Sequence, residues 1–309
     1  MPALRFAVQS GQADSPRAWR ERARQIEDLG YSTLYLPDHL GDQWGPVVAM
    51  TVAAEATRTL RVGSLVFDND YRHPVVLAKE MATLDLCSEG RVEVGLGAGW
   101  KRSDYEEAGL AYDQPGERVD RLAESLAIMK ALWAQGSATM EGSHYRVRGA
   151  QGLPRPFLAS GPTLVVGGGG RRLLSLAAAE ADVVGVNPSL ATGRVGPEVA
   201  TSALPERYRE RLGWIRQAAG DRFCDLELQC LTFVAHVGPG GRERIESMAP
   251  LFGLTADAAA EVPVVLAGTV DQVCDTILAR REEYGLSYWV VHDAEMEAFA
   301  PVVARLAGR

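Results

Sequence analysis

Four consecutive glycines, Gly167 to Gly170, separate the apolar run Thr163-Leu164-Val165-Val166 from a periodic segment that starts at Arg171. A strand that runs into bare backbone and then a helix start brings N–H donors and the positive end of a helix dipole together, which is how a phosphate is held. A flexible turn would use the same residues, although fewer glycines suffice for one, and Arg171-Arg172 adds cationic charge beside it. No Gly-Lys-Ser/Thr follows, so this is not a Walker loop, and it is not the GxGxxG of a first βα unit. Asp38-His39 ends another apolar run, with Trp44 close behind. An imidazole at a strand end titrates near neutrality and can transfer protons; a packed or capping histidine is the structural alternative, and chemistry alone leaves both open. His73 precedes Pro74 and reads as a helix cap, His144 as surface, and His236 and His292 as lesser strand-end candidates. Lysine is confined to Lys79, Lys101 and Lys130, which argues against a Schiff-base enzyme. With no HxH or HExxH pair, no metal site is expected.

These residues need a scaffold, and Arg61 to Trp100 shows its repeating unit. Leu60 to Phe67 is an apolar run with Gly63 and Ser64 inside it, as suits a buried strand that bends or bulges near its end. Pro74 opens a helix that Gly90 stops, and Val92 to Leu96 is the next strand, parallel to the first because a helix of that length is a crossover connection. The loops Asp68 to His73 and Gly97 to Trp100 therefore share one end of a sheet. Strands recur near residues 5, 33, 61, 92, 163, 183, 228 and 288, with helices between them, including Pro16 to Leu29 behind a Ser15 cap, Gln114 to Trp133, and a helix to Tyr284 behind a Thr269/Gln272 capping box. Met140 to Val147 reads as a surface hairpin, and residues 238–263 as an insertion after the seventh strand. Eight βα units without a composition shift predict a (β/α)8 TIM barrel, one domain over residues 1–309; a doubly wound open sheet is the alternative. On a barrel the chemistry gathers at the C-terminal strand ends, which here supply Gln9 and Ser10; Asp38, His39 and Trp44; Ser64, Leu65 and Phe67; Gly97, Gly99 and Trp100; Gly168, Gly169 and Gly170; Asn187; His236; and His292.

Bulk properties narrow the partners. A chain of 309 residues with 47% hydrophobic and 23% charged content is ordinary for a soluble protein. A formal net charge of -8 argues against nucleic acid or an anionic membrane. No apolar run approaches the roughly 20 residues of a membrane helix, and a cytoplasmic protein is expected. Cys87, Cys224, Cys230 and Cys274 share no metal or redox spacing and are expected to be reduced core residues.

In this order and spacing, several of these segments resemble the bacterial luciferase-like flavin and deazaflavin oxidoreductases, and within them the coenzyme F420-dependent branch. They are Pro37-Asp38-His39-Leu40 with Trp44, the RVGSLV strand, the RHPVVLAKEMATLD helix, the GRVEVGLGAGW strand, RVDRLAESLAIMKALW, VVGGGG and AGTVDQV. The resemblance implies an eight-stranded barrel, an insertion after strand seven, a small-molecule substrate and a homodimer. It implies that a bulge at Ser64-Leu65, a non-proline cis bond in relatives, backs the deazaflavin ring. Phe67, Gly97, Gly99 and Asn187 would face the same cofactor, and Gly168, Gly169 and Gly170 its phosphate. Asp38, His39, Trp44 and Trp100 would line the substrate side, with Asp38 and His39 the catalytic pair and His39 the proton donor or hydrogen-bond partner during hydride transfer at the deazaflavin C5. The sugar-phosphate dehydrogenases of this branch carry a glutamate where this chain has Trp100, and a lysine where Asn187-Pro188-Ser189-Leu190 stands. Both departures argue against glucose 6-phosphate and for an uncharged or aromatic substrate. The alternatives are an FMN-dependent monooxygenase on the same scaffold, and a flavin-binding barrel without turnover.

Overall fold

A computed structural model describes residues 2–194 and 196–309. Its main sheet closes. The eight strands are Arg5–Gln9, Thr33–Leu36, Arg61–Ser64 continued by Phe67–Asp68, Val92–Gly97, Thr163–Gly168, Val183–Val186, Glu227–Leu231 and Leu286–His292. Each is parallel to its neighbours, and the eighth returns to the first through Arg5↔Tyr288 to Gln9↔His292. The open sheet is thereby excluded, and all C-terminal strand ends form one mouth.

Local chemistry explains the helices that wrap the barrel. Ser15 accepts from the Ala18 amide to start Pro16–Asp28, and Trp19, Ala23 and Ile26 are buried on one face. Thr269 and Gln272 form the reciprocal capping box of Val270–Tyr284. Pro115–Lys130 continues as a π-helical turn, Ala131–Gln135, so Val119, Leu122, Leu126, Met129 and Trp133 form one buried stripe. The hairpin lies at Ser137–Glu141 and Arg146–Gln151. The excursion after the seventh strand is wider than residues 238–263. Val234–Val237 pairs with Val265–Gly268 beside the barrel and brackets the helices Gly241–Met248 and Ala256–Glu261.

Inside the barrel, alternate residues point inward, and Ala7, Tyr35, Leu65, Val165, Val183, Tyr288 and Val290 form the inner cluster. Below them Glu93, fully buried, meets Arg5 at 2.6 Å and Arg61 at 2.7 Å, with the Tyr35 and Tyr288 hydroxyls on its other oxygen. Burial pushes its acidity down, yet the two guanidinium groups outweigh burial and hold its carboxyl below the usual range. A plug of paired charge therefore fills the N-terminal end, leaving the opposite end for chemistry. Two cysteines depart from expectation: Cys230 and Cys274 are buried, whereas Cys87 and Cys224 are exposed, the first at the last residue of Pro74–Cys87 and the second in the turn Gly220–Asp225.

Candidate active site

The third strand breaks where the mouth begins. Leu65 and Val66 are joined by a cis peptide bond, one bond later than Ser64-Leu65, and both side chains pack with the inner cluster. Two successive residues on one face make a bulge, which reverses inward and outward for everything after it. Gln9 donates from Nε2 to the Leu65 carbonyl at 2.8 Å, and the Ser64 hydroxyl donates to Leu36 O at 3.0 Å. Glycine makes room on the next strand. A Cβ at Gly95 would fall 1.9 Å from Ser64 O, and one at Gly97 would fall 2.6 Å from Val66 Cγ2.

Several expectations change as a result. Phe67 faces outward: it is fully buried between sheet and helices, opposite Leu96 and beneath the Arg72 guanidinium, so it does not reach a ligand in the mouth. Ser64 is fully buried and spends its hydroxyl on the Leu36 carbonyl of the second strand. Gly97 serves Val66, and Gly99, at φ +73°, leaves space for the Asp68 carboxylate and the Tyr105 hydroxyl. Asp38 is not an open catalytic acid. It takes both Arg72 nitrogens and the Asp68 amide at 3.0 Å, and clamps the third loop to the second. The Trp44 ring rests on Trp19 of the first helix, at 5.5 Å between centroids, so it belongs at least in part to the helical layer.

His39 lies at the barrel mouth, at the end of the second strand. Its Nδ1 lies 2.8 Å from Asp104 Oδ2, its ring stands edge-on to Trp100 at 5.4 Å, and Nε2 makes no hydrogen bond among the described residues. Asp104 is 1% exposed and pairs through its other oxygen with Lys101 at 2.7 Å. Burial would raise its pKa, but Lys101 and His39 more than offset that, so its carboxyl is held below the ordinary range. Sequence reading missed Asp104 because it sits in the first turn of Arg102–Ala108, a short helix beyond the glycine loop. Its acidic first turn after Gly97-Ala98-Gly99 is the one signal that could have shown it.

The glycine run caps a helix. Gly170 precedes Arg171–Glu180 and is open to solvent, with nothing near a Cβ built on it. Gly169 and Gly170 donate no hydrogen bond from their backbone amides among the described residues, and the first-turn amides beyond them lack helical partners by construction. Gly169 has a packing duty as well, since a Cβ there would fall 2.5 Å from Pro188 O, and Gly168 lies against Leu173. Asn187 lies over Gly167, its Nδ2 3.1 Å from where a Cβ would be. Arg172 is drawn to Asp120 and the Gly116 carbonyl, and Arg171 only to Gln217.

Among the described residues no group of three His, Cys, Asp or Glu could hold a metal ion, and no helix is long and apolar enough to cross a membrane. Residues 3–220 match the family model of luciferase-like monooxygenases. The chain is 31% identical over 210 residues to an F420-dependent glucose-6-phosphate dehydrogenase of Nakamurella multipartita, covering 63% of this chain and 61% of that one. It is 28% identical over 176 residues to a protein of the same name from Amycolatopsis mediterranei, covering 52% and 53%. The chain thus spans less than two thirds of the length of these curated relatives. The coenzyme F420-dependent tetrahydromethanopterin reductase of Methanopyrus kandleri superposes with a TM-score of 0.78 at 18% identity, over 98% of this chain and 99% of that one. A long-chain alkane monooxygenase superposes at 0.77 and 15%, over 99% and 91%. At such identities these two likenesses speak for the barrel alone. By its match over most of its length, the chain belongs to the luciferase-like monooxygenase family.

Proposed function

We propose that this protein is an F420-dependent oxidoreductase acting on a small, uncharged or aromatic organic substrate. The observation that carries this reading is the His39–Asp104 pair at the barrel mouth. A buried carboxylate fixes one ring nitrogen, so the other has a defined direction and protonation partner, the arrangement an acid–base histidine needs. The fit to a phosphorylated cofactor rests on Gly169 and Gly170, whose amides have no partner, at the start of a helix. Leu65, backed by Gln9, and the inward Val66 would form the floor under the ring system. A bound deazaflavin supplies a two-electron hydride carrier. His39 holds the proton that must leave or reach the substrate oxygen, Asp104 steadies the charged imidazole, and Trp100 excludes water from one side.

Relatives named for F420 and glucose 6-phosphate favour this cofactor, but Trp100 and Asn187-Pro188-Ser189-Leu190 offer no charged group to a sugar phosphate. The second reading, an FMN-dependent monooxygenase, is favoured by the match of residues 3–220 to the luciferase-like monooxygenase model. Titration with F420 and with FMN separates them: tighter F420 binding without oxygen uptake is expected, and tighter FMN binding with oxygen consumption would replace the first reading. Glucose 6-phosphate should be neither a substrate nor a competitor. We further propose a homodimer through the helices Pro46–Ala56 and Pro74–Cys87, where Val48 is 72% and Val76 is 53% exposed beside a groove lined by Val47, Tyr71 and His73. A monomeric mass in light scattering would refute it.

A further inference from the structure

The bulge that turns Phe67 outward turns Asp68 inward, opposite Gly97. Asp68 is 8% exposed; its Oδ2 lies over Gly99 and makes no hydrogen bond among the described residues. Its Oδ1 accepts from the Asp70 amide at 3.0 Å. The Tyr105 hydroxyl, fully buried, lies 2.9 Å from Asp68 Oδ1 and also 2.9 Å from Asp70 Oδ2. One hydroxyl proton cannot serve both contacts, so a second proton must reside on one of the two carboxyls.

The surroundings say which one. Asp70 faces Arg121 at 2.9 Å, and Arg121 also pairs with Asp113. Among the described residues no cation pairs with Asp68: Arg72 is committed to Asp38 and Lys101 to Asp104. Burial pushes the Asp68 carboxyl up to about 7, against hydrogen bonds from the Asp70 amide and Tyr105 and with the charges of Asp70 and Asp38 adding to the rise. Tyr71, its ring tilted against Tyr105 at 5.7 Å between centroids and its hydroxyl 3.5 Å from Asp104 Oδ2, connects this cluster to His39.

We propose that Asp68 is a second acid–base group of the barrel mouth: a neutral carboxylic acid that shares its proton through Tyr105 with Asp70 and presents its free oxygen to the ligand. In the balanced step, Asp68 Oδ2 takes a proton from a substrate oxygen while the proton on Oδ1 passes to the Tyr105 oxygen and the Tyr105 proton passes to Asp70 Oδ2, from which water removes it; the reverse reaction runs the relay the other way. The part played toward substrate rests on the oxidoreductase reading above, whereas the shared proton does not.

Protein labelled with carbon-13 at aspartate carboxyls, followed by NMR against pH, tests both parts. One carboxyl should titrate near neutrality in the wild type and be absent from Asp68→Asn. Asp70→Asn, which keeps Asp68, should lower that midpoint by about one pH unit, because a like charge has been removed. Saturation with F420, or with FMN if that binds instead, should move the wild-type midpoint. If every aspartate titrates in the ordinary carboxylate range, the shared proton is refuted. A midpoint unmoved by a cofactor that does bind would overturn the acid–base role alone. Failure of both cofactors to bind would overturn the oxidoreductase reading and that role with it, leaving the shared proton standing.

Discussion

Replacing Gly97 with alanine should destabilise the protein through Val66, and replacing Val66 should remove that penalty. A Cβ at Gly97 falls 2.6 Å from Val66 Cγ2 and 3.9 Å from Val66 Cβ, so the valine side chain must shift to admit it. Carbon atoms prefer about 3.5–4.0 Å, so the overlap is near 1 Å. Overpacking of this kind costs about 2 kcal/mol. For a chain of this length the unfolding entropy is about 0.65 kcal/mol/K, so the melting temperature should fall by about 3 °C. Val66→Ala alone loses two half-buried methyl groups, about 1 kcal/mol. The double variant should cost no more than Val66→Ala, giving a coupling energy of about 2 kcal/mol in urea unfolding. Additive losses would refute the assignment of Gly97 to the bulge. Gly95→Ala is the contrast: its Cβ would meet the Ser64 backbone carbonyl at 1.9 Å, and no side-chain truncation should rescue it.

His39→Ala should lower turnover by about 100-fold or more while changing F420 affinity little, and Asp104→Asn should give a smaller loss with a displaced pH profile; an unchanged rate in His39→Ala removes it from catalysis. Gly170→Asp, where nothing crowds the new side chain, should weaken cofactor binding at least tenfold without lowering stability, since a carboxylate would occupy the proposed phosphate position; unaltered affinity would leave the turn merely structural. Glu93→Gln should cost about 3–5 kcal/mol, because Arg5 and Arg61 would keep buried charge without a full partner; calorimetry showing less than 1 kcal/mol would refute that balance. Asp68 has a raised folded-state constant, so its neutral form favours folding at low pH and that contribution is lost as pH rises from about 4 to 7. Asp68→Asn should therefore gain up to about 4 kcal/mol relative to wild type between pH 4 and pH 8, and a pH-independent difference in unfolding free energy would contradict it.

The sequence by itself determined the elements and their order, because each signal is local. Apolar runs, proline helix starts, the Thr269/Gln272 box and the glycine run at 167–170 are written within a few residues of where they act. It also singled out His39, a histidine at a strand end. It could not determine which residues face the mouth beyond Ser64, because one bulge at Leu65 and Val66 reverses the alternation, sending Phe67 into the helical layer and Asp68 to the interior. Nor could it pair groups remote in sequence. Asp38 is claimed by Arg72 and His39 by Asp104, 65 positions away, and those partnerships turn neighbouring residues into a clamp and an imidazole held at one ring nitrogen. Charge pairing and inward facing are properties of barrel closure, which brings strand ends together, and closure exists only in three dimensions.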